Sequence, residues 1–357
     1  MYIGLAIVAI LLSLGLVVGG HELGHALAAH WFGVKVKSIV FGLGQSFLSW
    51  RDKKGREWIW ALWPLGGSVN LLNSRVTAIT NNDYSECFDK KPLWNRVIIL
   101  LSGSMANILI AWLALSGYFL LGYQQNTPVI LSVQPMSIAA QAQLSSGDKF
   151  ISVAGYATFS WQDVMMQLLT HFGQPNVSVL IKKSSGVSVN TTINLSLFQK
   201  SSACHSLMDC MGFSPDSSKQ HLQRMPGVSV IPALEQASVK LASLAHFYLQ
   251  MLKQILSGKI PFFLLLGPMG FFMAMMTSLV QGIAVFLYFM AHLNLVVAIV
   301  NMLPFPSLDG GSIVYALVER VRGQPMSVAL ETLLHRLATI FLCVLFIQLL
   351  LNDFSYF

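Results

Sequence analysis

The sequence predicts a polytopic α-helical membrane protein: about four transmembrane helices, a membrane-associated β-hairpin or small sheet, and one inserted α+β domain. Three observations carry that expectation. Hydrophobic residues make up 54% of the 357 residues and charged residues 10%, with a mean hydropathy of +0.62, where a soluble chain is about 25% charged. The apolar residues gather in long uncharged runs, and a polar, domain-sized stretch, 123–259, interrupts them. The same figures exclude disorder, whose signature is low hydrophobicity with high charge. Four cysteines are too few for a disulfide scaffold of this length.

No charged side chain occurs between Met1 and Gly20, and the first is Glu22. This run lacks the basic start and small-residue cleavage site of a secretory signal. It continues into His21-Glu22-Leu23-Gly24-His25 and reads as a retained first span. Val97 to about Leu121 is long enough for a second. Leu337 to Leu351, extended by Leu333 and Leu334, gives the last. The longest uncharged stretch, between Lys259 and Asp309, exceeds one crossing and is interrupted at Gly267-Pro268.

Charge orients these spans. Residues 35–96 hold ten basic side chains (Lys35, Lys37, Arg51, Lys53, Lys54, Arg56, Arg75, Lys90, Lys91, Arg96) against five acidic ones. In a short loop that excess is the positive-inside signal and places the loop in the cytoplasm, whereas the long segment 123–259 crosses regardless of its charge. Most of the formal +7 is thereby assigned to a membrane loop, and no nucleic-acid partner is needed.

The first motif with chemistry is His-Glu-x-x-His at 21–25. On a helix, positions i and i+4 share a face, so both imidazoles can bind one zinc ion while Glu22 stands beside the attacking water. A carboxylate at membrane depth is costly and marks a functional site by default. Zinc needs a third protein ligand. The outstanding candidate is Asp309, which directly follows an uncharged stretch in Asn301-Met302-Leu303-Pro304-Phe305-Pro306-Ser307-Leu308-Asp309-Gly310-Gly311. There the prolines break the helix and the glycines allow close backbone approach.

Together the two motifs resemble the site-2 protease family of intramembrane zinc metalloproteases, in its bacterial RseP-type form. The resemblance extends to Gly42-Leu43-Gly44, Pro64-Leu65-Gly66-Gly67, Gly103-Ser104-Met105-Ala106-Asn107, Gly267-Pro268 and Asn352-Asp353-Phe354-Ser355. It implies one zinc ion per chain on His21, His25 and Asp309, with Glu22 as catalytic carboxylate. Asn301 would contact the substrate backbone, and Gly42, Gly44, Pro304 and Pro306 fall in motifs expected at the substrate. The implied activity is peptide hydrolysis in single-span membrane proteins of the anti-sigma-factor type, in remnant signal peptides, or in both.

Both histidines lie at the inner end of the first span, so Asp309 must reach the inner end of its own. One crossing at about Ile283–Leu303 achieves this if 260–282 is only partly embedded. The final span then leaves Phe357 outside. A substrate helix must unwind before cleavage, and its freed backbone groups need partners. Val36–Phe41, Ser46–Arg51 and Glu57–Trp63 read as strands around an Asp52-Lys53-Lys54-Gly55 turn, with an edge suited to strand addition. Trp50, Trp58, Trp60 and Trp63 suit a membrane interface.

In the outside segment, Ser137-Ile138-Ala139-Ala140-Gln141-Ala142, with Gly147-Asp148 behind it, resembles the S-x-A-A-x-A-x-x-x-x-G-D stretch of bacterial PDZ domains. Gln143 stands where a glycine is common. A helix at about Trp161–Phe172 and strands at Val177–Lys183 and Val187–Leu195 would complete one such domain, serving as a steric filter over the zinc cleft or as a peptide-binding groove. RseP-type relatives commonly carry two, and this chain has room for one. The expected division is 1–122 (two spans with the hairpin at 36–70), 123–200 (a periplasmic PDZ domain), 201–260 (a linker and amphipathic helix) and 261–357 (the partly embedded segment and two spans). Cys204 and Cys210 lie where either a disulfide or free thiols are permitted. The expected location is the bacterial inner membrane, with the bilayer itself as a partner, the zinc site toward the cytoplasm and both termini outside. An inactive PDZ adaptor would leave the intact His21, Glu22, His25 and Asp309 unexplained, and a transporter would leave the His-Glu-x-x-His motif unexplained.

Overall fold

A computed structural model describes residues 2–77, 79, 81–197, 207–216, 218, 221–260 and 267–354. The chain forms two compact units, one of residues 1–118, 233–241 and 268–348, the other of 119–232, 242–267 and 349–357. Among the described residues, four helices are long and apolar enough to cross a membrane: Gly4–Trp31, Leu93–Leu121, Ile283–Asn301 and Val328–Phe354.

In the first unit, α1 (Tyr2–Leu14) and α2 (Gly20–Trp31) form one continuous helix joined by a π-helical turn, Gly15–Gly19. Such turns change the helical phase locally and recur at functional sites; this one ends two residues before His21. Two long strands follow, β1 (Val36–Arg51) and β2 (Glu57–Leu71). Their register shows that each bends back on itself. Residues 38–41 pair with 67–70 on one side and with 57–60 on the other, and 46–51 pair with 57–61. The indices of the 38–41 and 57–60 pairs rise together, so those segments run parallel. The result is a curled sheet of four short segments in which 67–71 forms one edge. Gly42 and Gly44, at φ 100° and 91°, make the bend in β1. The expected strands thus exist, and the sheet has a fourth segment that the Pro64-Leu65-Gly66-Gly67 sequence concealed.

The sheet base packs Val36 and Ile39 against Ala26, Ala28 and Ala29 of α2 and Ile99 of α3 (Leu93–Leu121). Small residues on α2 let sheet and helix approach. The intervening loop is pinned by Asp89, which accepts from the Ser74 amide at 2.8 Å, and by Arg75, which reaches Glu331 at 2.8 Å.

The second unit contains β3 (Gly122–Asn126), β4 (Ile130–Val133), α4 (Ile138–Gln141), β5 (Lys149–Val153), β6 (Tyr156–Ala157), α5 (Trp161–Thr170), β7 (Val177–Lys182) and β8 (Ser188–Ile193). Four strands form an antiparallel sheet in the order β6-β5-β7-β8. Ser160 and Asp163 cap α5 reciprocally. Gln143 adopts φ +57°, which explains why glycine suits that position. Buried Asp148 is held by Lys183 at 2.8 Å.

One expectation is corrected here. Part of the segment expected as linker, 201–260, belongs to this core. Helix α6 (Leu207–Met211) and strand β9 (Phe213–Pro215) contribute Leu207, Met211 and Phe213, and β9 pairs with β4. The stretch is polar on average, and its few apolar residues show no periodicity, which hides the strand. Strand β10 (Leu222–Pro226) pairs with β3. Cys204 lies outside the described residues, so its pairing with Cys210 does too.

Helix α7 (Val230–Leu256) follows. Its residues 233–241 belong to the first unit, where Ser238 accepts from the Trp112 indole at 3.0 Å. Its later residues Met251 and Ile255 pack on the second unit's core. Helix α8 (Pro268–Gln281) has 14 residues, about 21 Å at 1.5 Å per residue, too short to cross a core of about 30 Å. It packs along α1. Helix α9 (Ile283–Asn301), an irregular loop, α10 (Asp309–Arg322) and α11 (Val328–Phe354) complete the chain. Helix α10 is not evident in the sequence, because its charged residues break the apolar pattern.

Candidate metal centre

The site is assembled from three helices. His21 and His25 lie one turn apart on α2, and both are buried, as is Glu22 between them. Asp309 is the first residue of α10, where the positive end of the helix dipole favours a carboxylate. Gly310 and Gly311 press against the carbonyls of Leu303 and Phe305, where any side chain would collide. That contact folds the proline loop back under α10 and sets the start of the helix.

The ligand atoms converge. His21 Nε2 lies 3.1 Å from His25 Nε2 and 3.0 Å from Asp309 Oδ2, and His25 Nε2 lies 3.3 Å from the same oxygen. Among the described residues, these three form the one group of His, Cys, Asp or Glu side chains gathered closely enough to hold a metal ion. Tetrahedral bonds of 2.0–2.1 Å separate ligand atoms by about 3.3 Å, which matches all three distances. With both Nε2 atoms unprotonated, these three atoms are acceptors aimed at one point, an arrangement that a cation stabilises. The donor set therefore fits zinc.

Helix α3 completes the support. The Ile99 carbonyl lies 2.7 Å from His25 Nδ1, and a proton at Nδ1 leaves Nε2 free for metal. At Gly103 the same helix meets the rings of both histidines so closely that no side chain fits.

A cavity of about 500 Å³ opens beside the ligands. It is lined by His21, Glu22, His25, Asn301 and Asp309, together with Ser307 and the edge residues Gly66–Val69. The structure thus brings Asn301 to the same space as the ligands. It does not bring Gly42, Gly44, Pro304 or Pro306 into the lining; these shape the bends on either side. Ser307 and the 66–69 edge were not singled out as site residues in the sequence, although Pro64-Leu65-Gly66-Gly67 marked the latter's position.

Apolar helices of spanning length around a buried His-Glu-x-x-His and an opposed carboxylate define a membrane metallohydrolase. Comparison narrows the class. The family model for peptidase family M50 matches residues 9–345, and the chain belongs to that family. It is similar to the regulator of sigma E protease of Haemophilus influenzae, at 25% identity over 96% of this chain and 97% of the relative. Protease RseP of Yersinia pestis is 26% identical over 98% of both chains. A Rickettsia conorii protein bearing the name zinc metalloprotease is also 26% identical over 98% of both. The first two alignments run over 430 and 443 positions and the third over 366, so the first two relatives carry stretches without counterpart here. The protein is a zinc metalloprotease of the membrane.

Proposed function

We propose that the chain is an intramembrane endopeptidase that hydrolyses peptide bonds within transmembrane segments of single-span membrane proteins, in regulated intramembrane proteolysis. The observation that carries this reading is the convergence of His21, His25 and Asp309 on one point, with Glu22 in the same buried cavity. In this reading the three residues hold zinc, which supplies Lewis-acid polarisation of the scissile carbonyl and of water. Glu22 accepts the proton of the attacking water and delivers it to the leaving amide nitrogen. Asn301 hydrogen-bonds the substrate backbone. The unwound substrate adds as a strand along 67–71, whose other side is already paired with 36–41 and whose residues line the cavity. Anti-sigma-factor-like proteins are the favoured substrates, in keeping with relatives called regulator of sigma E protease; remnant signal peptides are the second class.

The second unit is read as a single PDZ domain whose fold includes β9 and whose role is to exclude substrates with bulky outside domains; peptide capture in its groove is the alternative use. Its placement in the periplasm, with both termini outside and the zinc site toward the cytoplasmic face of the bacterial inner membrane, follows from the basic loop 35–96.

Glu22→Gln in the full chain tests the chemistry. Zinc content should stay at one per chain while cleavage of a single-span reporter falls by about 100-fold or more. Cleavage that survives the substitution would overturn the role given to Glu22.

A further inference from the structure

We infer that His335, on the fourth span, is a positioning residue for the third zinc ligand, acting through Ser307. The inference rests on the zinc-site reading above and deepens it.

Ser307 lies two residues before Asp309, lines the zinc cavity and adopts φ +78°. A side chain other than glycine is disfavoured there by about 5- to 30-fold, and such a conformation persists only where its surroundings over-determine it. Neighbouring contacts supply that constraint. Ser307 Oγ lies 3.1 Å from His335 Nδ1 on α11, and a longer contact of 3.5 Å runs from the same hydroxyl to the His335 carbonyl. The loop is held to α11 a second time by the rings of Phe305 and Phe341, 5.6 Å apart. His335 is itself braced edge-on by Tyr315 of α10, at 6.0 Å.

The loop has little slack to absorb a change at Ser307. Gly310 and Gly311 are already pressed onto the carbonyls of Leu303 and Phe305, so the segment 303–311 is folded back on itself. Returning Ser307 to negative φ would redirect the chain two residues ahead of Asp309. The carboxylate would then leave its positions 3.0 and 3.3 Å from the two imidazoles. The hydroxyl–imidazole contact therefore does for this loop what a glycine would do without help.

That equivalence supplies the test. Zinc affinity of the purified full-length chain is measured by competition with a chromophoric chelator, together with the melting temperature of the metal-free form. His335→Ala should weaken zinc binding about tenfold, and Ser307→Ala should do the same. His335→Asn, which keeps a hydrogen-bonding group near the Nδ1 position, should recover part of the loss. Ser307→Gly should bind as wild type does, and Ser307→Gly with His335→Ala should return to within about twofold of it. A merely structural role for His335 would not be rescued by a glycine at position 307. Wild-type affinity in both His335→Ala and Ser307→Ala, or a double variant as weak as His335→Ala, would overturn the inference. Should His335→Ala fail to fold, Ser307→Ala and Ser307→Gly carry the comparison alone. A wild-type chain that takes up no zinc would instead overturn the underlying zinc-site reading.

Discussion

His25 Nδ1 lies 2.7 Å from the carbonyl oxygen of Ile99, and this contact makes the second apolar helix part of the candidate metal site. Ring orientation and tautomer at a metal-binding histidine are set by what its other nitrogen meets. The contact requires α2 and α3 to lie close together, and Gly103 is where the two imidazoles meet α3. Gly103→Ala would drive a methyl group into both rings. Zinc content should fall below about half, and reporter cleavage by about tenfold or more, as read by metal analysis and gel assay. Gly4→Ala, where an added methyl meets open space, should change neither. Full zinc content in Gly103→Ala would show that the helices can part without harm.

Arg96 and Glu319 tie α3 to α10 through a 2.9 Å ion pair whose side chains are 11% and 24% exposed. Such a pair lies between the surface case, worth under about 1 kcal/mol, and the buried case, where removing one partner costs about 3–5 kcal/mol. Glu319→Ala should therefore destabilise the first unit by about 1–3 kcal/mol and lower its melting temperature. The reversed pair, Arg96→Glu with Glu319→Arg, should regain about half of that loss. Equal melting temperatures for wild type and Glu319→Ala would show that the pair is screened.

The parts of this molecule written in runs of chemistry were legible, and those made by distant meetings were not. Spans appear in sequence because about 20 uncharged residues have few other uses, and His21, Glu22, His25 and Asp309 stand out because charge there is costly. The 66–71 edge was hidden because glycine and proline argue against a strand. Phe213 is one aromatic residue in a polar stretch, and only its packing on Phe150 and Trp161 reveals a strand. Ser307 and His335 are 28 residues apart, and no local pattern links a strained serine to a histidine on another helix.

Asp52 gives the hairpin tip a defined acid limit. Burial alone would raise its carboxyl, but hydrogen bonds from Arg56, Trp58 and the amides of Arg56 and Lys54 outweigh that and hold it at about 2. A folded value below the unfolded one, about 3.9, makes the stabilisation complete above that pH. It is lost as pH falls through about 2. Protection of the Lys54 and Arg56 amides against hydrogen exchange should stay constant from about pH 6 to pH 4 and fall only near 2. A fall centred near pH 4 would mean that the turn does not bind the carboxylate in solution. Asp52→Asn should show no such transition.

Phe213 tests whether the polar stretch after β8 truly belongs to the second unit. Its ring is 1% exposed and lies 5.7 Å from Trp161 and 5.9 Å from Phe150. Truncating a buried phenylalanine costs about 3–5 kcal/mol, a large part of the stability of a domain this size. Phe213→Ala should therefore expose the whole unit to limited proteolysis, with cuts within β5 to β8 as well as near β9. Zinc content should be retained, because the three proposed ligands, His21, His25 and Asp309, belong to the first unit. Cuts confined to 207–216 would instead mean that β9 is an appended strand and that the core of β5 to β8 stands without it.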